Sequence, residues 1–273
     1  MSLFDEKYSN YKRSFESYLQ SFVDSLKGKT LSNNLISSIS YSLLADGKRI
    51  RPILFLATLD SLNIDYTKYL SFALSIELIH NYSLIHDDLP CMDNDDFRRG
   101  KPTNHKLYGE AMALLCGDAL LNLSYELLLK ECVTDGSLVK PAAYLSEVAG
   151  FCGMIGGQAV DIESENYTKT LETMSYINEN KTSKLITAPV VCAAMLANAT
   201  NIAAYEKFAD NLGHLFQLTD DLLDNDGIVK TIGRDKTVEQ VEFRYENCTE
   251  SLKQIVNNEF FIDLTNKIKN RYK

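Results

Sequence analysis

The sequence predicts an all-α protein, and three observations carry that prediction. Gly occurs 13 times and Pro 5 times in 273 residues, whereas average usage would give about 19 and 14. Both residues damage helix interiors, so their scarcity favours long helices over a turn-rich β-sandwich or barrel. Apolar residues recur with the helical period along most of the chain, and no segment shows convincing two-residue alternation between turn signals.

The helical pattern can be followed from the N-terminal region onward. The first stripe contains Phe15, Leu19 and Val23, and Gly28 follows it as a stop signal. Similar stripes lie at roughly 34–46, 51–62, 67–88, 105–131, 140–163, 171–180, 182–198, 203–225 and 237–270, with loop signals at 60–66, 133–138 and 225–235. No Pro-, Gly- or Ser-rich linker divides the chain. We therefore expect one domain over residues 1–273, with about ten or more helices.

Charge and cysteine usage exclude several classes of protein. With a net charge of −9, the chain lacks the excess of basic residues that is typical of a nucleic-acid-binding protein. No run approaches the 18 uninterrupted apolar residues of a membrane span, so no integral membrane segment is expected. The six cysteines are scattered without a C-x-x-C pair. That pattern is typical of reduced thiols in a cytoplasmic protein and disfavours a zinc site.

An acidic cluster follows a strongly apolar helix in residues 84–101, LIHDDLPCMDNDDFRRGK. Asp87 lies seven residues after His80, which places both on one helix face. Pro90 ends or kinks the helix, so that Asp93 can curl back as a second ligand. Crowded carboxylates repel one another, and a divalent cation relieves the repulsion. Because the set has only oxygen donors, it favours Mg²⁺ over zinc.

A second acidic cluster lies in residues 213–224, GHLFQLTDDLLD. On a helix, Gly213, Gln217, Asp220 and Asp224 fall in one narrow stripe, and apolar residues flank it. A fully solvated face would have polar neighbours instead. Two such helices facing each other would form a cavity walled by carboxylates, which binds a diphosphate through bridging Mg²⁺ ions.

Six motifs in order resemble the short-chain trans-isoprenyl diphosphate synthases, the bacterial farnesyl and geranylgeranyl diphosphate synthase group. The motifs are GKRIRP (47–52), the aspartate-rich 84–105, GEAMALLCGDALL (109–121), GGQAVD (156–161), KTSKLI (181–186) and FQLTDDLLD (216–224). The resemblance implies the all-α isoprenoid synthase fold, a single polyprenyl synthetase domain whose helices surround a deep central cavity. It also implies a homodimer, and Mg²⁺ as cofactor, with about three ions in each active site.

The resemblance assigns roles residue by residue. The implied metal ligands are Asp87, Asp93 and Asp220, with Asp88, Asp221 and Asp224 as weaker candidates for ligands or supporting acceptors. The implied contacts to the allylic diphosphate are Arg98, Lys181, Thr182 and Gln217, and those to isopentenyl diphosphate are Lys48, Arg51, His80 and Arg99. The planar fork of Arg fits phosphate oxygens. Expected outside direct contact are Arg49 and Lys101 at the surface, His86 and His105 as structural residues, and Gln158 and Asp161 as supports of the site.

The implied reaction is ionisation of an allylic diphosphate, condensation with isopentenyl diphosphate, and elimination of a proton. The catalytic candidates are Asp87, Asp93, Arg98, Lys181 and Asp220. In the family, residues just upstream of the first aspartate form the floor of the product cavity, here Tyr82 and Ser83. A bulky Tyr82 favours trans-farnesyl diphosphate, although the aspartate-rich segment also resembles the geranylgeranyl enzymes, which stay as the alternative.

The sequence departs from the family pattern after the second acidic cluster. The stretch DNDGIVKTIGRDKTVEQVEF is shorter than usual and lacks the family's Pro, so either Lys236 or Lys230 is the candidate diphosphate contact there. The basic C-terminal tail, KIKNRYK, is a candidate for closing the site. Two rival functions stay open, a terpene cyclase and an inactive regulatory subunit of a prenyl synthase. The Lys48, Arg51 and His80 set argues against the first, and the presence of both aspartate motifs argues against the second.

Overall fold

The protein is described by a computed structural model, which covers residues 2–164, 167, 170–225 and 227–272. The described residues form fourteen α-helices: α1 Leu3–Ser25, α2 Asn33–Leu43, α3 Ile50–Ser61, α4 Leu70–Asp87, α5 Asn104–Tyr108, α6 Glu110–Thr134, α7 Val139–Ala149, α8 Met154–Glu163, α9 Leu171–Ile177, α10 Lys184–Leu196, α11 Ile202–Asp224, α12 Ile228–Ile232, α13 Arg234–Leu252 and α14 Glu259–Lys269. Further elements are a two-stranded hairpin, β1 Phe97–Arg98 and β2 Lys101–Pro102, a π-helix Asn178–Ser183, and 3₁₀ turns at Tyr66–Tyr69, Gly136–Leu138 and Asn270–Tyr272. The all-α prediction is confirmed.

Polar residues fix the starts of several helices, as the sequence chemistry requires. The side chain of Ser32 accepts the Leu35 N–H at the start of α2, and Asn201 accepts the Ala204 N–H at the start of α11. Each bond satisfies a backbone donor that has no partner inside its helix. At its other end, α11 stops at Asn225, which adopts the left-handed conformation that Asn tolerates well.

The helices group into two compact units: unit 1 comprises Met1–Tyr8, Ala57–Asp65 and Val139–Lys273, and unit 2 comprises Ser9–Leu56 and Tyr66–Leu138. In unit 2, α4 packs mainly against α6. Helix α4 is buried on nearly every side, which suits a helix that is apolar around most of its circumference. The rings of Phe55 and Phe72 stack at 4.9 Å, so that an α3 side chain joins the α4 core.

Unit 1 is built around α11, which packs against α10 and α13, while α10 also packs against α7. Helix α10 is the most apolar helix of the unit, and eleven of its thirteen residues are buried. The N-terminal turn of α1 closes the unit, since Phe4 stacks on Phe260 of α14 at 4.9 Å between ring centroids. This core holds the helix that carries the second acidic cluster.

Glycines and short breaks divide three of the predicted helical stripes. The stripe predicted over 105–131 breaks at Gly109, whose φ of 84° is unfavourable for other residues. The stripes over 140–163 and 237–270 are likewise each two helices. Conversely, the predicted loop 225–235 contains the short helix α12. The periodicity thus located apolar faces correctly and missed these breaks, because two consecutive helices can continue one pattern.

One prediction about Arg49 was wrong. It was expected at the surface, yet it is only 5% exposed. Its guanidinium donates to Glu77 at 2.9 Å and to the carbonyls of Leu43 and Ala45, both at 2.8 Å. Buried charges require such pairing, and here it joins α4 to the end of α2. The adjacent basic residues gave no signal of which one is buried.

Helix α6 is long and apolar, yet much of it is exposed. Among the described residues it is the one helix whose length and composition would allow it to cross a membrane. Of its most apolar 18-residue stretch, 33% is buried. One such helix is weak evidence for a span, because core helices pass the same test. Its exposed apolar side chains include Leu115, Leu129 and Val133. These residues fall on one helical face.

Candidate active site

The end of α4 curls back on itself at the first acidic cluster. The backbone N–H of Asp93 donates to the carbonyl of Asp87 at 2.9 Å, and the N–H of Asn94 donates to Leu89 at 3.1 Å. Asn94 takes a positive φ of 54°, which turns the chain. The backbone of the segment therefore brings the positions of Asp87 and Asp93 together, as the Pro90 break predicted.

Asp88 lies in the same segment and holds Arg98 instead of facing solvent. Its Oδ1 accepts from Arg98 Nε at 2.7 Å and lies 2.6 Å from Nη2. Asp88 is buried, and burial raises its pKa, although Arg98 opposes the shift. Asp88 thus holds the Nε and Nη2 edge of the Arg98 guanidinium in place. In this geometry Asp88 positions Arg98, and its carboxylate is already engaged.

The β1–β2 hairpin sets the direction of the next two basic residues. Arg98 pairs with Lys101 across it, and the two turn residues, Arg99 and Gly100, have φ of 52° and 74°. Positive φ at both central positions is the type I′ geometry that suits a tight hairpin. An Arg at such a position is strained relative to Asn or Gly, and strain of this kind concentrates at functional sites. Arg99 donates to the carbonyl of Asp46 at 3.1 Å.

A cationic pocket lies between α3 and α4. Arg51 Nη1 lies 3.3 Å from His80 Nε2. Since a guanidinium only donates, His80 accepts as a neutral imidazole. Burial lowers the pKa of His80 well below 6.5, and the charges of Arg51 and Arg99 lower it further. Burial likewise lowers the pKa of Arg51 to about 10, so this residue keeps its charge at neutral pH.

One donor of this pocket has no hydrogen-bond partner. Arg51 Nε is buried without an acceptor among the described residues. Buried donors are almost always paired, which makes this one a candidate contact for an anionic ligand. Lys48 lies in the same GKRIRP segment of unit 2. Chemically, the pocket can bind an anion with several oxygens.

In unit 1, Lys181 and Thr182 lie on the π-helix Asn178–Ser183. π-Helical turns are rare and frequently mark functional positions. Lys181 Nζ contacts Asp161 Oδ2 of α8 at 2.7 Å, which fixes the ammonium group. Asp161, which was predicted to support the site, therefore contacts Lys181, the predicted phosphate-binding residue.

Two glycines allow the neighbouring helices to approach this π-helix. A Cβ on Gly157 of α8 would lie 2.5 Å from the Lys181 backbone nitrogen. A Cβ on Gly213 of α11 would lie 3.1 Å from Cα of Ser183. Only glycine permits the first of these approaches, since the clash would be with backbone. Gly157, the second glycine of GGQAVD, thus has a packing reason at the site.

Asp221 of the second acidic cluster organises a loop. Its carboxylate accepts from Gln217 Nε2 at 2.8 Å and from the backbone N–H of Ile228 at 3.0 Å. Asp221 is buried. Its oxygens therefore stabilise the turn that follows α11. The side-chain amide of Gln217 is occupied by its hydrogen bond to Asp221 in this structure.

Asp220, the predicted metal ligand of the second cluster, contacts a cation of the C-terminal region. Its Oδ1 lies 2.7 Å from Arg271 Nη2. The guanidinium of Arg271 also lies over the ring of Phe216, at 4.8 Å from the centroid. Arg271 Nη1 is buried without a partner in the described part of the chain. A cation-binding position is therefore present at Asp220, with an arginine as the cation.

The carboxylates fit Mg²⁺ by their donor chemistry. Asp87 and Asp93 offer hard oxygen donors, as does Asp220 in unit 1. Within the described ranges, no group of three or more His, Cys, Asp or Glu side chains is arranged to hold a metal by itself. Mg²⁺ requires no such group, because it uses one or two carboxylates together with substrate phosphates and water.

The remaining predicted residues lie as follows. Tyr82 and Ser83 are in α4, Tyr82 buried and Ser83 partly exposed; Asp224 is exposed at the end of α11; Lys230 and Lys236 are exposed on α12 and α13. Sequence reasoning missed Arg234, which donates to the Leu222 carbonyl at 3.0 Å. It noted the basic C-terminal tail that contains Arg271, but nothing in that pattern indicated Asp220 as the partner of this arginine.

Comparison with known proteins gives the same family by sequence. Residues 32–241 match the family model described as polyprenyl synthetase. The farnesyl diphosphate synthase of Geobacillus stearothermophilus is 43% identical over 228 residues, which cover 82% of this chain and 76% of that protein. A chloroplastic geranylgeranyl pyrophosphate synthase of Capsicum annuum is 42% identical over 215 residues, covering 76% and 58% of the two chains.

Solved structures agree. The geranyltransferase of Legionella pneumophila superposes with a TM-score of 0.90 at 32% identity, covering 98% of each chain. An FPP/GFPP synthase of Zymomonas mobilis superposes with a TM-score of 0.88 at 31% identity, covering 98% of this chain and 99% of that one. The ordered motifs and these similarities lead to one conclusion: the chain belongs to the polyprenyl synthetase family, has the all-α isoprenoid synthase fold and is a prenyltransferase.

Proposed function

We propose that this prenyltransferase condenses isopentenyl diphosphate with dimethylallyl or geranyl diphosphate and releases trans-farnesyl diphosphate. The observation that carries the proposal is the part-buried contact of Arg51 with His80, in which the buried Nε of Arg51 lacks a partner in the described structure. A buried cationic donor calls for an anion, and a second diphosphate substrate supplies one. An enzyme that takes only one diphosphate has no need of this pocket.

In this proposal the pocket of unit 2 binds isopentenyl diphosphate. The contacts come from Lys48, Arg51, His80 and Arg99. Because the low pKa of His80 keeps its imidazole neutral, the attraction comes from the Lys48 ammonium and from the guanidinium groups, whose planar forks match diphosphate oxygens. His80 orients Arg51 through their 3.3 Å contact.

The allylic diphosphate is held by a second set of side chains in the proposal. The set comprises Arg98, Lys181, Thr182 and Gln217. For Gln217 to serve in this way, its hydrogen bond to Asp221 must be released or shared. Asp88 fixes one edge of Arg98, and Asp161 fixes the ammonium of Lys181. Pre-oriented cations lose little freedom when the substrate binds, so they stabilise charge that develops during the reaction.

The aspartates would hold the Mg²⁺ ions, about three in each active site, that the reaction requires. The proposed ligands are Asp87, Asp93, Asp220 and Asp224. When bound, Mg²⁺ acts as a Lewis acid that neutralises diphosphate charge. For Asp220 to serve in this way, its contact with Arg271 must be released or shared.

The reaction begins when the allylic C–O bond breaks and its electron pair leaves with the diphosphate. Arg98 and Lys181 stabilise that developing charge. The double bond of isopentenyl diphosphate then forms the new C–C bond to the allylic carbon, and loss of a neighbouring proton gives the trans double bond. The motifs contain no obvious general base, so the departing diphosphate accepts the proton. Water must be excluded throughout, since it would quench the carbocation.

The proposed chain length depends on Tyr82. Its bulk closes the product cavity after fifteen carbons, with the small Ser83 beside it on the face that carries Asp87. Geranylgeranyl diphosphate is the alternative product, because relatives of both kinds match at similar identity. Tyr82→Ala is expected to lengthen the product, and an unchanged product distribution would remove the basis for the farnesyl assignment.

The deciding experiment is an assay of purified protein with Mg²⁺, isopentenyl diphosphate and geranyl diphosphate. A fifteen-carbon trans product is expected. Arg51→Gln should raise KM for isopentenyl diphosphate at least about tenfold, because a charged hydrogen bond is lost, while the exposed Arg13→Gln should not. If Arg51→Gln leaves that KM unchanged, the assignment of this pocket is wrong.

The same assay separates the rival functions. Consumption of geranyl diphosphate without uptake of isopentenyl diphosphate would indicate a terpene cyclase. No turnover of either substrate would indicate a regulatory subunit.

We also propose that the protein is a cytoplasmic homodimer that associates through the exposed face of α6. Leu115, Leu129 and Val133 are exposed on that face. Such side chains are stabilised when a second copy covers them. Leu129→Glu is expected to give monomers by light scattering, whereas Leu31→Glu, at a fully exposed leucine outside α6, should leave the assembly intact.

A further inference from the structure

The ring of Tyr82 is buried but not anchored by its hydroxyl. The side chain lies in α4 and is 5% exposed. Its hydroxyl oxygen is buried without a hydrogen-bond partner among the described residues. The position of the ring is therefore determined by packing alone, which makes its neighbours important.

His86 is the aromatic neighbour of Tyr82, one turn further along α4. The two ring centroids are 5.8 Å apart, and the ring planes are inclined by 83°. This edge-to-face arrangement is one of the favourable geometries for aromatic pairs. The spacing of four residues puts both side chains on the same face of the helix.

His86 is in turn held from α6. Its Nε2 lies 3.0 Å from the carbonyl oxygen of Leu114. Since a carbonyl only accepts, Nε2 carries the hydrogen and donates it. Asp118 Oδ1 lies 3.9 Å from the same nitrogen. The imidazole is therefore fixed in both position and tautomer by the neighbouring helix.

Gly117 provides the space that His86 occupies. A Cβ at Gly117 would lie 2.0 Å from His86 Nε2 and 2.3 Å from Cδ2. Any other residue would displace the imidazole. Glycine destabilises the middle of a helix, so its place within α6 calls for a packing reason. The close approach of His86 supplies that reason.

We propose that His86, seated on Gly117, is a positioning residue that holds the Tyr82 ring and thereby sets the length of the product. The proposal rests on the proposed function, in which Tyr82 closes the product cavity. His86 acts through Tyr82 and does not itself touch the substrate. When His86 is removed or displaced, the ring of Tyr82 loses its neighbour, and the cavity accepts a longer chain.

The test is the product distribution from labelled isopentenyl diphosphate in four variants. These are His86→Ala, His86→Gln, Gly117→Ala and Tyr82→Ala. His86→Ala and Gly117→Ala should each raise the ratio of twenty-carbon to fifteen-carbon product by about fivefold. Tyr82→Ala should raise it further, and the double variant Tyr82→Ala/His86→Ala should match Tyr82→Ala alone, because His86 acts only through that ring.

Two controls separate positioning from a general loss of structure. Gly136→Ala also adds a methyl group in unit 2, but nothing lies within 4 Å of it, so the wild-type ratio is expected. His86→Gln keeps an amide donor for the Leu114 carbonyl but has no ring, so it should fold well and still shift the ratio. It keeps the proposal testable if His86→Ala fails to fold.

The outcomes distinguish this proposal from the proposed function. If Tyr82→Ala lengthens the product while His86→Gln and Gly117→Ala keep the wild-type ratio, the role of His86 is overturned and the farnesyl function stands. If the double variant exceeds Tyr82→Ala, His86 acts independently of the ring, which also overturns the proposal. A wild-type protein that forms no fifteen-carbon product overturns both.

Discussion

Two oppositely charged side chains of unit 2 are buried together as an ion pair. Arg49 and Glu77 form a pair whose side chains are 2% and 3% exposed. The adjacent Lys48 and Arg51 belong to the same basic motif. Arg49 is structural and its neighbours are candidates for substrate contact; the burial of Arg49 is what the geometry added.

Arg49→Met should therefore destabilise the protein severely. It leaves the Glu77 carboxylate buried without its partner, which costs about 3–5 kcal/mol of unfolding free energy. Urea denaturation measures the change, with the exposed Arg13→Met as the matched control. In Arg49→Met/Glu77→Leu the buried charge is gone, so part of the stability should return. Equal stability of Arg49→Met and Arg13→Met would contradict this account.

At the scale of elements, the site depends on close approaches between helices. The π-helix Asn178–Ser183 carries Lys181, and α8 reaches it through Gly157. The C-terminal turn reaches α11 in another way, through the ion pair of Arg271 with Asp220. Both contacts join elements that are distant along the chain and bring a cation to a predicted binding position.

Gly157→Ala tests the first contact. The added Cβ would lie 2.5 Å from the Lys181 backbone nitrogen, so the π-helix must shift. Overpacking of this kind costs about 1–3 kcal/mol. We expect KM for the allylic diphosphate to rise more than KM for isopentenyl diphosphate, since Lys181 belongs to the proposed allylic set. Steady-state kinetics with each substrate varied would detect this, and equal changes in both constants would argue against it.

Arg271→Gln tests the second contact. Removing the guanidinium frees Asp220 from a competing cation, so Mg²⁺ should bind about threefold to tenfold more tightly in the presence of inorganic diphosphate. Isothermal titration calorimetry measures this affinity without turnover. Lys253→Gln, which removes an exposed pair with Glu250, is the control. Unchanged Mg²⁺ affinity in Arg271→Gln would show that the arginine does not compete.

For the whole molecule, the lowered pKa of His80 makes stability depend on pH. Burial and the charges of Arg51 and Arg99 lower the pKa of His80 well below 6.5 in the folded protein. The unfolded chain takes up a proton near pH 6.5. Unfolding therefore binds protons as the pH falls below this value, and stability declines from there until the folded pKa is reached.

His80→Gln should flatten this decline. Glutamine keeps a polar side chain beside Arg51 but does not titrate, so the loss of unfolding free energy between pH 6.5 and pH 5 should be smaller than in the wild type. Thermal or urea unfolding at a series of pH values measures the slope. His214, whose pKa burial also lowers, keeps contributing in the variant, so the slope does not vanish. A slope identical to that of the wild type would contradict the assignment.

The sequence alone determined the all-α class, the order of the motifs and the family, because helical periodicity and motif spacing are local properties. It also predicted that the chain turns back after Pro90 and brings Asp93 close to Asp87, because a proline at this position ends the helix. These features need no knowledge of which distant residues meet.

The tertiary structure alone decided which charges are paired. Arg49 is buried with Glu77, Asp88 holds Arg98, Asp221 serves a turn, and Asp220 meets Arg271. Each of these acidic or basic residues looks alike along the chain. Their roles differ because the energy of a charge depends on its burial and its partner, and both are set by packing between segments far apart in sequence.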